Sequence, residues 1–375
     1  MPAVSERKDL LGEVERVVVK VGTSSITRNS PEESMKFLDG IARQVKALKD
    51  MGKEVLIVSS GAIGLGLNLM KVEAHPSDIP MRQAAASVGQ SALMFRWNAA
   101  FDDHGLLGAQ ILLTMDAYSA RETANNINNT IKTLLANGVV PIFNENDAVC
   151  TKEIDAVFGD NDTLSAVIAS NSDSDLLVIM SDVKGLYNKN PKLFDDAEII
   201  STVRDIEAVR HMAGDPTTRV GVGGMKTKLE AALICADAGC KMIITSGFEE
   251  NTIVDAVLGK DVGTIFVSDN AIPKKRRWLK SASPHGTIIV DSGAAKALKK
   301  HLSLLPVGIT EVSGAFNAGD LVAVMFGGEE IARGISNYCS DDVHSMIGMR
   351  TSQADKVLGK DRPADVIDSG NMTVL

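Results

Sequence analysis

Residues 17–25 read VVVKVGTSS, and residues 58–66 read VSSGAIGLG. The first is a β-branched run and the second closes one, VLIV at 55–58; each ends in a turn of glycine and small hydroxyl residues, and the second leads into a helical pattern. Short apolar runs with such exits are how strands buried on both faces of a parallel sheet read. Outward from these two, short β-branched runs alternate with longer amphipathic stretches from Val17 to Val267, which requires βαβ crossovers. Strands are predicted at residues 17–21, 55–58, 108–113, 139–143, 176–180 and 241–245. Between the first two, Phe37, Leu38, Ile41, Val45 and Leu48 recur at helical spacing after Pro31, and Gly52 marks the stop. The expected fold class is α/β, a mainly parallel sheet sandwiched by helices.

The pattern changes at residues 271–284, AIPKKRRWLKSASP, where two prolines and five basic residues interrupt any period. This stretch reads as a linker between a first domain at 1–270 and a second at 285–375. Strand-like runs at 287–290, 321–325 and 330–334, with glycine-rich turns, suggest a small β-barrel-like domain. A length of 375 residues and 45% hydrophobic content suit two domains with separate cores.

The net charge of -9 argues against binding nucleic acid through a general positive field. Residues 285–375 carry 8 Lys/Arg against 11 Asp/Glu, so RNA binding by the tail is not expected. The basic cluster at 274–277 with Lys280 reads as a solvated linker. Cys150, Cys235, Cys240 and Cys339 lack metal-ligand spacing, which points to buried thiols in a reducing compartment. No run approaches bilayer length and no signal peptide precedes the first strand, so a cytoplasmic protein is expected.

In open α/β sheets ligands bind beyond the carboxyl ends of the strands. Lys20 and Gly22 lie at the first such exit, where glycine lets backbone N–H groups approach a phosphate and lysine neutralises it. A solvated strand-end lysine is the plain alternative. Ser59, Ser60, Gly61 and Gly64 occupy the second exit, where the glycines serve phosphate contact, close helix packing, or both. NENDAV (144–149) and FGDNDTLSA (158–166) crowd acids and amides into two neighbouring loops, with Asn161 or Asp162 placed to open a helix. Helix caps explain part of this density. Groups that hold lysines and bind a zwitterion explain the rest.

MSDVKGLYNKNP (180–191) leaves the fifth strand through Ser181 and Asp182 into a turn suited to a purine and ribose. GVGGMKTK (221–228) opens a helix with Lys226 and Lys228 in its first turns, where the helix dipole disfavours cations unless an anion binds. None of these spacings matches the dinucleotide G-x-G-x-x-G or Walker A patterns, which sets aside a dehydrogenase or P-loop reading.

Taken in order, VVVKVGTS, SSGAIGLG, NENDAV, FGDNDTLSA, MSDVKGLY and GGMKTK resemble the motifs of the amino acid kinase superfamily. More narrowly the chain is similar to the glutamate 5-kinase family, over about residues 15–268, with a tail that resembles a PUA domain. The resemblance implies the amino acid kinase fold and ATP-dependent phosphorylation of the γ-carboxylate of free L-glutamate, the first step of proline biosynthesis. It implies ATP with Mg²⁺, no protein metal ligand, a homo-oligomer and feedback by proline.

Carried over by position, the resemblance makes Lys20, Lys228 and Asp162 catalytic, with Asp162 orienting both lysines. Ser60, Asp147 and Asn161 match glutamate-binding positions. Lys20, Gly22, Ser181, Asp182, Val222, Gly223, Gly224, Met225, Lys226, Thr227 and Lys228 match ATP-binding ones. Three departures stand out: Val222 replaces a hydroxyl residue, Lys184 an acid or amide, and the loop at 153–158 is longer by about two residues. Kinases of the same fold that act on N-acetylglutamate, aspartate, carbamate or UMP are the nearest rivals, and NENDAV with GDND favours glutamate. An RNA-binding or RNA-modifying protein is the rival from another class.

Overall fold

The computed structural model describes residues 4–26, 30–73, 75, 78–115, 118, 121–149, 161–191, 193–213, 224–267, 272, 277, 279–280, 282, 284–350, 353–354 and 363–375. The chain divides into two compact units, Met1–Ile272 and Pro273–Leu375. In the first, β1 (Arg16–Val21), β2 (Glu54–Ser59), β3 (Gly108–Leu113), β4 (Val140–Glu145), β5 (Leu176–Ser181), β6 (Thr202–Val203), β7 (Lys241–Ser246) and β8 (Thr264–Phe266) form one sheet. Their order is β3-β4-β2-β1-β5-β7-β8-β6. Ladders from β3 to β7 are parallel, and β8 runs antiparallel to β7. The six predicted strands are all present, with ends shifted by one or two residues. β6 and β8 are additional, and both are too short to show a period of two.

The β1 sequence explains its central place. Val17, Val19 and Val21 enter one core with Leu38, Ile41, Val45 and Leu48 of the Pro31–Asp50 helix. Val18 enters the opposite core with Leu164, Val167 and Ile168 of the Asn161–Asn171 helix. Alternate side chains of a strand point to opposite faces, so an unbroken valine run requires a cover on each. The Pro31–Asp50 helix starts where the sequence indicates: Ser30 accepts from the Glu33 N–H, and Pro31 occupies the first turn.

Two glycines bring the next helices into backbone contact. A Cβ on Gly66 would lie 1.8 Å from the Ala85 carbonyl oxygen, and one on Gly89 would lie 1.8 Å from that of Ala62. The Ala62–Met70 and Ile79–Asp102 helices therefore touch without intervening side chains. Gly61, the N-cap of the former, has φ 98°, a conformation that glycine adopts at little cost. The Val4–Leu11 helix was not anticipated in the polar N-terminus.

In the second unit β9 (Gly286–Val290), β10 (Ile309–Ser313), β11 (Leu321–Phe326), β12 (Glu329–Ile335) and β13 (Met372–Val374) form a sheet of order β10-β9-β11-β12-β13. Ile288, Val290, Val322 and Val324 pack with Leu298 and Val343 from the Ser292–Leu298 and Ser340–Ser345 helices. Leu279 and Ala282, inside the stretch read as linker, are buried against Leu321 of this unit. Arg333 holds the same stretch by donating to the carbonyls of Lys280 and Ala282 at 2.7 and 3.0 Å. Among the described residues no helix is long and apolar enough to cross a membrane.

Replacing Gly89 by Ala should lower stability by about 1–3 kcal/mol, because the added methyl overlaps backbone that cannot rotate away. Urea unfolding would check this. An unchanged midpoint would mean that the two helices can separate at no cost.

Candidate active site

Because β2, β1 and β5 are parallel, their carboxyl ends open on one edge, where Val21 is in register with Ser59 on one side and Met180 on the other. The Ser60 N–H donates to the Val21 carbonyl at 3.1 Å and draws the β2 exit onto that of β1. Lys20, one residue before the end of β1, is only 5% exposed. The helices Asn161–Asn171 and Met225–Ala238 send side chains from their first turns to meet it.

Asp162 is the meeting point. It has no solvent exposure. Lys20 Nζ lies 2.6 Å from its Oδ1, and Lys228 Nζ donates to its Oδ2 at 2.9 Å. The Thr227 hydroxyl also donates to Oδ2, at 3.1 Å. Burying a carboxylate costs several kcal/mol, and two buried ammonium groups at ion-pair distance offset that. Two cations drawn together on one carboxylate at a sheet edge are an arrangement suited to contact with a polyanion. The helix-dipole problem raised by Lys228 is met by Asp162, while Lys226 is exposed.

The neighbouring residue faces a different set of partners. Asn161 Nδ2 shares its two hydrogens among three acceptors, the Ser59 carbonyl at 2.8 Å, Ser60 Oγ at 2.7 Å and Asn144 Oδ1 at 2.9 Å. Asn144 Oδ1 also accepts from the Glu145 N–H, and its Nδ2 donates to Gln90 Oε1 at 2.8 Å. The Ser59 carbonyl can only accept and the Glu145 N–H can only donate, so these two backbone groups fix which way each amide faces. Trp97 Nε1 donates to Ser59 Oγ at 2.9 Å and holds the β2 exit from the Ile79–Asp102 helix. Asp147 lies half-buried in the turn after β4.

On the other side, Ser181 is buried at the end of β5, and its hydroxyl donates to the exposed Asp182 at 3.1 Å. The Gly247 N–H donates to the Ser181 carbonyl at 2.8 Å. Lys184, one of the departures, forms an ion pair with Glu249 at 2.8 Å. That hydrogen-bonded partner raises its pKa above the ordinary lysine value. A Cβ at Gly22 would make only ordinary contacts, at 3.7 Å or more, so packing of the chain does not demand glycine there. Gly224 caps the Met225–Ala238 helix. Val222, Gly223 and the loop at 153–158 lie outside the described residues.

Gln90 and Trp97 escaped the sequence reading, and Asn144 was read only as part of NENDAV. Their partners stand 54, 38 and 17 residues away, beyond the reach of a local motif. Among the described residues no group of three His, Cys, Asp or Glu could hold a metal ion.

The family model described as "Amino acid kinase family" matches residues 15–246, and that described as "PUA domain" matches residues 286–358. A glutamate 5-kinase of Methanosarcina mazei is 45% identical over 99% of both chains. One from Caldanaerobacter subterraneus subsp. tengcongensis is 40% identical over 96% of this chain and 98% of its own. Among solved structures, a carbamate kinase from Giardia lamblia bound to AMP-PNP aligns with TM-score 0.50 and 18% identity, over 69% of this chain and 100% of its own. A UMP kinase from Bacillus anthracis aligns with TM-score 0.50 and 16% identity, over 69% and 98%. These two share the fold.

Removing Asp162 as Asp162→Ala should cost about 3–5 kcal/mol, since it leaves two buried ammonium groups facing each other. Lys228→Met should cost much less, because Lys20 keeps its partner. Urea denaturation of both variants gives the order, and the reverse order would show that Asp162 does not hold the lysines in place.

Proposed function

The chain belongs to the amino acid kinase family, as a glutamate 5-kinase with a C-terminal PUA domain, and from that premise we propose how the residues around Asp162 share the reaction. The enzyme phosphorylates glutamate with ATP. A side-chain carboxylate near its ordinary pKa of about 4.3 is already ionised at neutral pH, so no general base is needed. What remains is to align the carboxylate with the γ-phosphoryl group and to absorb charge on the transferring oxygens.

Asp162 carries this reading, because it holds Lys20 and Lys228 on one carboxylate while the adjacent Asn161 is bonded to Ser60. Lys20 and Lys228 neutralise the transferring group. Ser60, Asp147 and Asn161 bind free L-glutamate, with Asp147 pairing its α-ammonium. The ATP site comprises Lys20, Gly22, Ser181, Asp182 and the run Val222, Gly223, Gly224, Met225, Lys226, Thr227 and Lys228. Both lysines therefore serve ATP and catalysis. Mg²⁺ would arrive with the phosphates of ATP and supply further charge neutralisation. The transfer is assigned to residues 1–270 and the PUA-like domain to 285–375, with 271–284 as a connecting stretch whose Leu279 and Ala282 pack on Leu321 of the second unit. A cytoplasmic homo-oligomer subject to feedback by proline completes the proposal.

Among free glutamate, N-acetylglutamate, aspartate, carbamate and UMP offered with Mg-ATP, free glutamate should turn over fastest. Acylation would remove the cation that Asp147 pairs and leave that carboxylate partly buried without its partner. Faster turnover of N-acetylglutamate would sink the assignment of Asp147. Lys228→Met should lower kcat by about 10²–10³ while changing KM for glutamate far less, because its charge acts where charge develops.

A further inference from the structure

Among the described residues Arg7 is the most deeply buried cation outside the site, at 1% exposure, on the Val4–Leu11 helix. Its guanidinium donates to the carbonyls of Lys260 at 3.3 Å, Val262 at 2.7 Å, Ser201 at 2.8 Å and Gly263 at 3.0 Å. Asp261 pairs with it at 2.9 Å. Burial pulls its pKa below the ordinary arginine value, and Asp261 opposes that shift. A short helix could be anchored by apolar side chains without that desolvation. A planar, rigid fork is needed where several carbonyls must be held in one arrangement.

The carbonyls held by Arg7 belong to two segments that flank the turn after Asp182. Gly263 has φ +60°, and a Cβ there would lie 1.9 Å from the Ile244 carbonyl oxygen of β7 and 3.0 Å from that of Lys184. The next residue, Thr264, accepts the Leu186 N–H on its hydroxyl at 2.8 Å. A Cβ on Gly185 would lie 2.6 Å from the same hydroxyl. From the other segment, the Ile200 N–H donates to the Leu186 carbonyl at 2.8 Å, and the adjacent Ser201 carbonyl accepts from both Arg7 and the Ile265 N–H. Ser201 Oγ donates to Asp261 at 2.9 Å, which ties the two segments together. Gly185 and Leu186 thus rest on residues whose spacing Arg7 sets.

We infer that Arg7 is a positioning residue for the nucleotide, fixing through residues 260–264 and 200–201 the turn that carries Asp182. The inference rests on the assignment of Ser181 and Asp182 to ATP. It is specific to the nucleotide, because none of the contacts from Arg7 leads toward Ser60, Asn144 or Asn161.

The test compares the full-length enzyme with Arg7→Ala, Asp261→Ala and Asp182→Ala. The readouts are kcat, KM for ATP and for glutamate, and binding of a non-hydrolysable ATP analogue by calorimetry. Arg7→Ala should raise KM for ATP and the analogue's Kd by about tenfold, within the 10²-fold that a 1 Å misplacement costs. KM for glutamate should stay within about twofold, and Arg7→Lys should recover part of the loss because it keeps the charge without the fork. Asp261→Ala should move ATP binding in the same direction by less, and it carries the test if Arg7→Ala does not fold. If Asp182→Ala weakens ATP binding while the folded Arg7 and Asp261 variants do not, Arg7 is only a staple and the inference is overturned. If none of the variants changes ATP binding, the assignment of the turn to ATP fails, and the inference with it.

Discussion

Asp162 is a carboxylate with no access to water, and Lys20 and Lys228 reach it from two other elements to offset the cost of its burial. The dependence is mutual. Each lysine is nearly buried and would repel the other without the carboxylate between them. Since Lys20 lies on the central strand and Asp162 and Lys228 open two helices, this triad fixes the helix starts against the sheet edge. A site that binds a polyanion needs cations gathered in one place, and the buried carboxylate is what gathers them.

The topology turns that constraint into a division of labour. β1 supplies Lys20 and the turn at Gly22, β2 and β4 supply Ser60 and Asn144, and β5 supplies Ser181. With β1 between β2 and β5, the groups proposed for the acceptor and those proposed for the nucleotide fall on opposite flanks of the same lysine. Asn161 and Asp162, consecutive in one helical turn, then face Ser60 with Asn144 and the two lysines respectively. A parallel sheet makes this possible, because only parallel strands bring all their exits to one edge.

Much of this was legible in the sequence for a physical reason. Strands buried on both faces leave unbroken β-branched runs, and exits that approach a ligand leave glycine and small polar residues, so β1 through β5 and β7 could be read with their turns. The ends differ by a residue or two because a ladder's last pair depends on the neighbouring strand. What could not be read depends on partners far along the chain. Asn144 and Gln90 are 54 residues apart, and Arg7 meets carbonyls more than 190 residues away. The Val4–Leu11 helix has no apolar stripe strong enough to announce itself, because a tertiary clamp holds it. β6 and β8 are too short to carry a pattern at all.

The two flanks are also supported in different ways, and this bears on how such a fold can change acceptor. The flank proposed for the acceptor is braced from within, by amides whose directions are set by the Ser59 carbonyl and the Glu145 N–H. Substituting one amide there forces its neighbours to turn or to lose a bond, so specificity on that side resides in a coupled set. The flank proposed for the nucleotide is braced from outside, by residues 260–264 and 200–201 pressed on the turn after β5. Those contacts are mainly backbone to backbone or to a single hydroxyl, and they constrain shape rather than the chemistry of what binds. A sheet edge built this way can keep one phosphoryl donor while the amide set on its other flank is replaced as a unit, which is the physical condition for one fold to serve several acceptors.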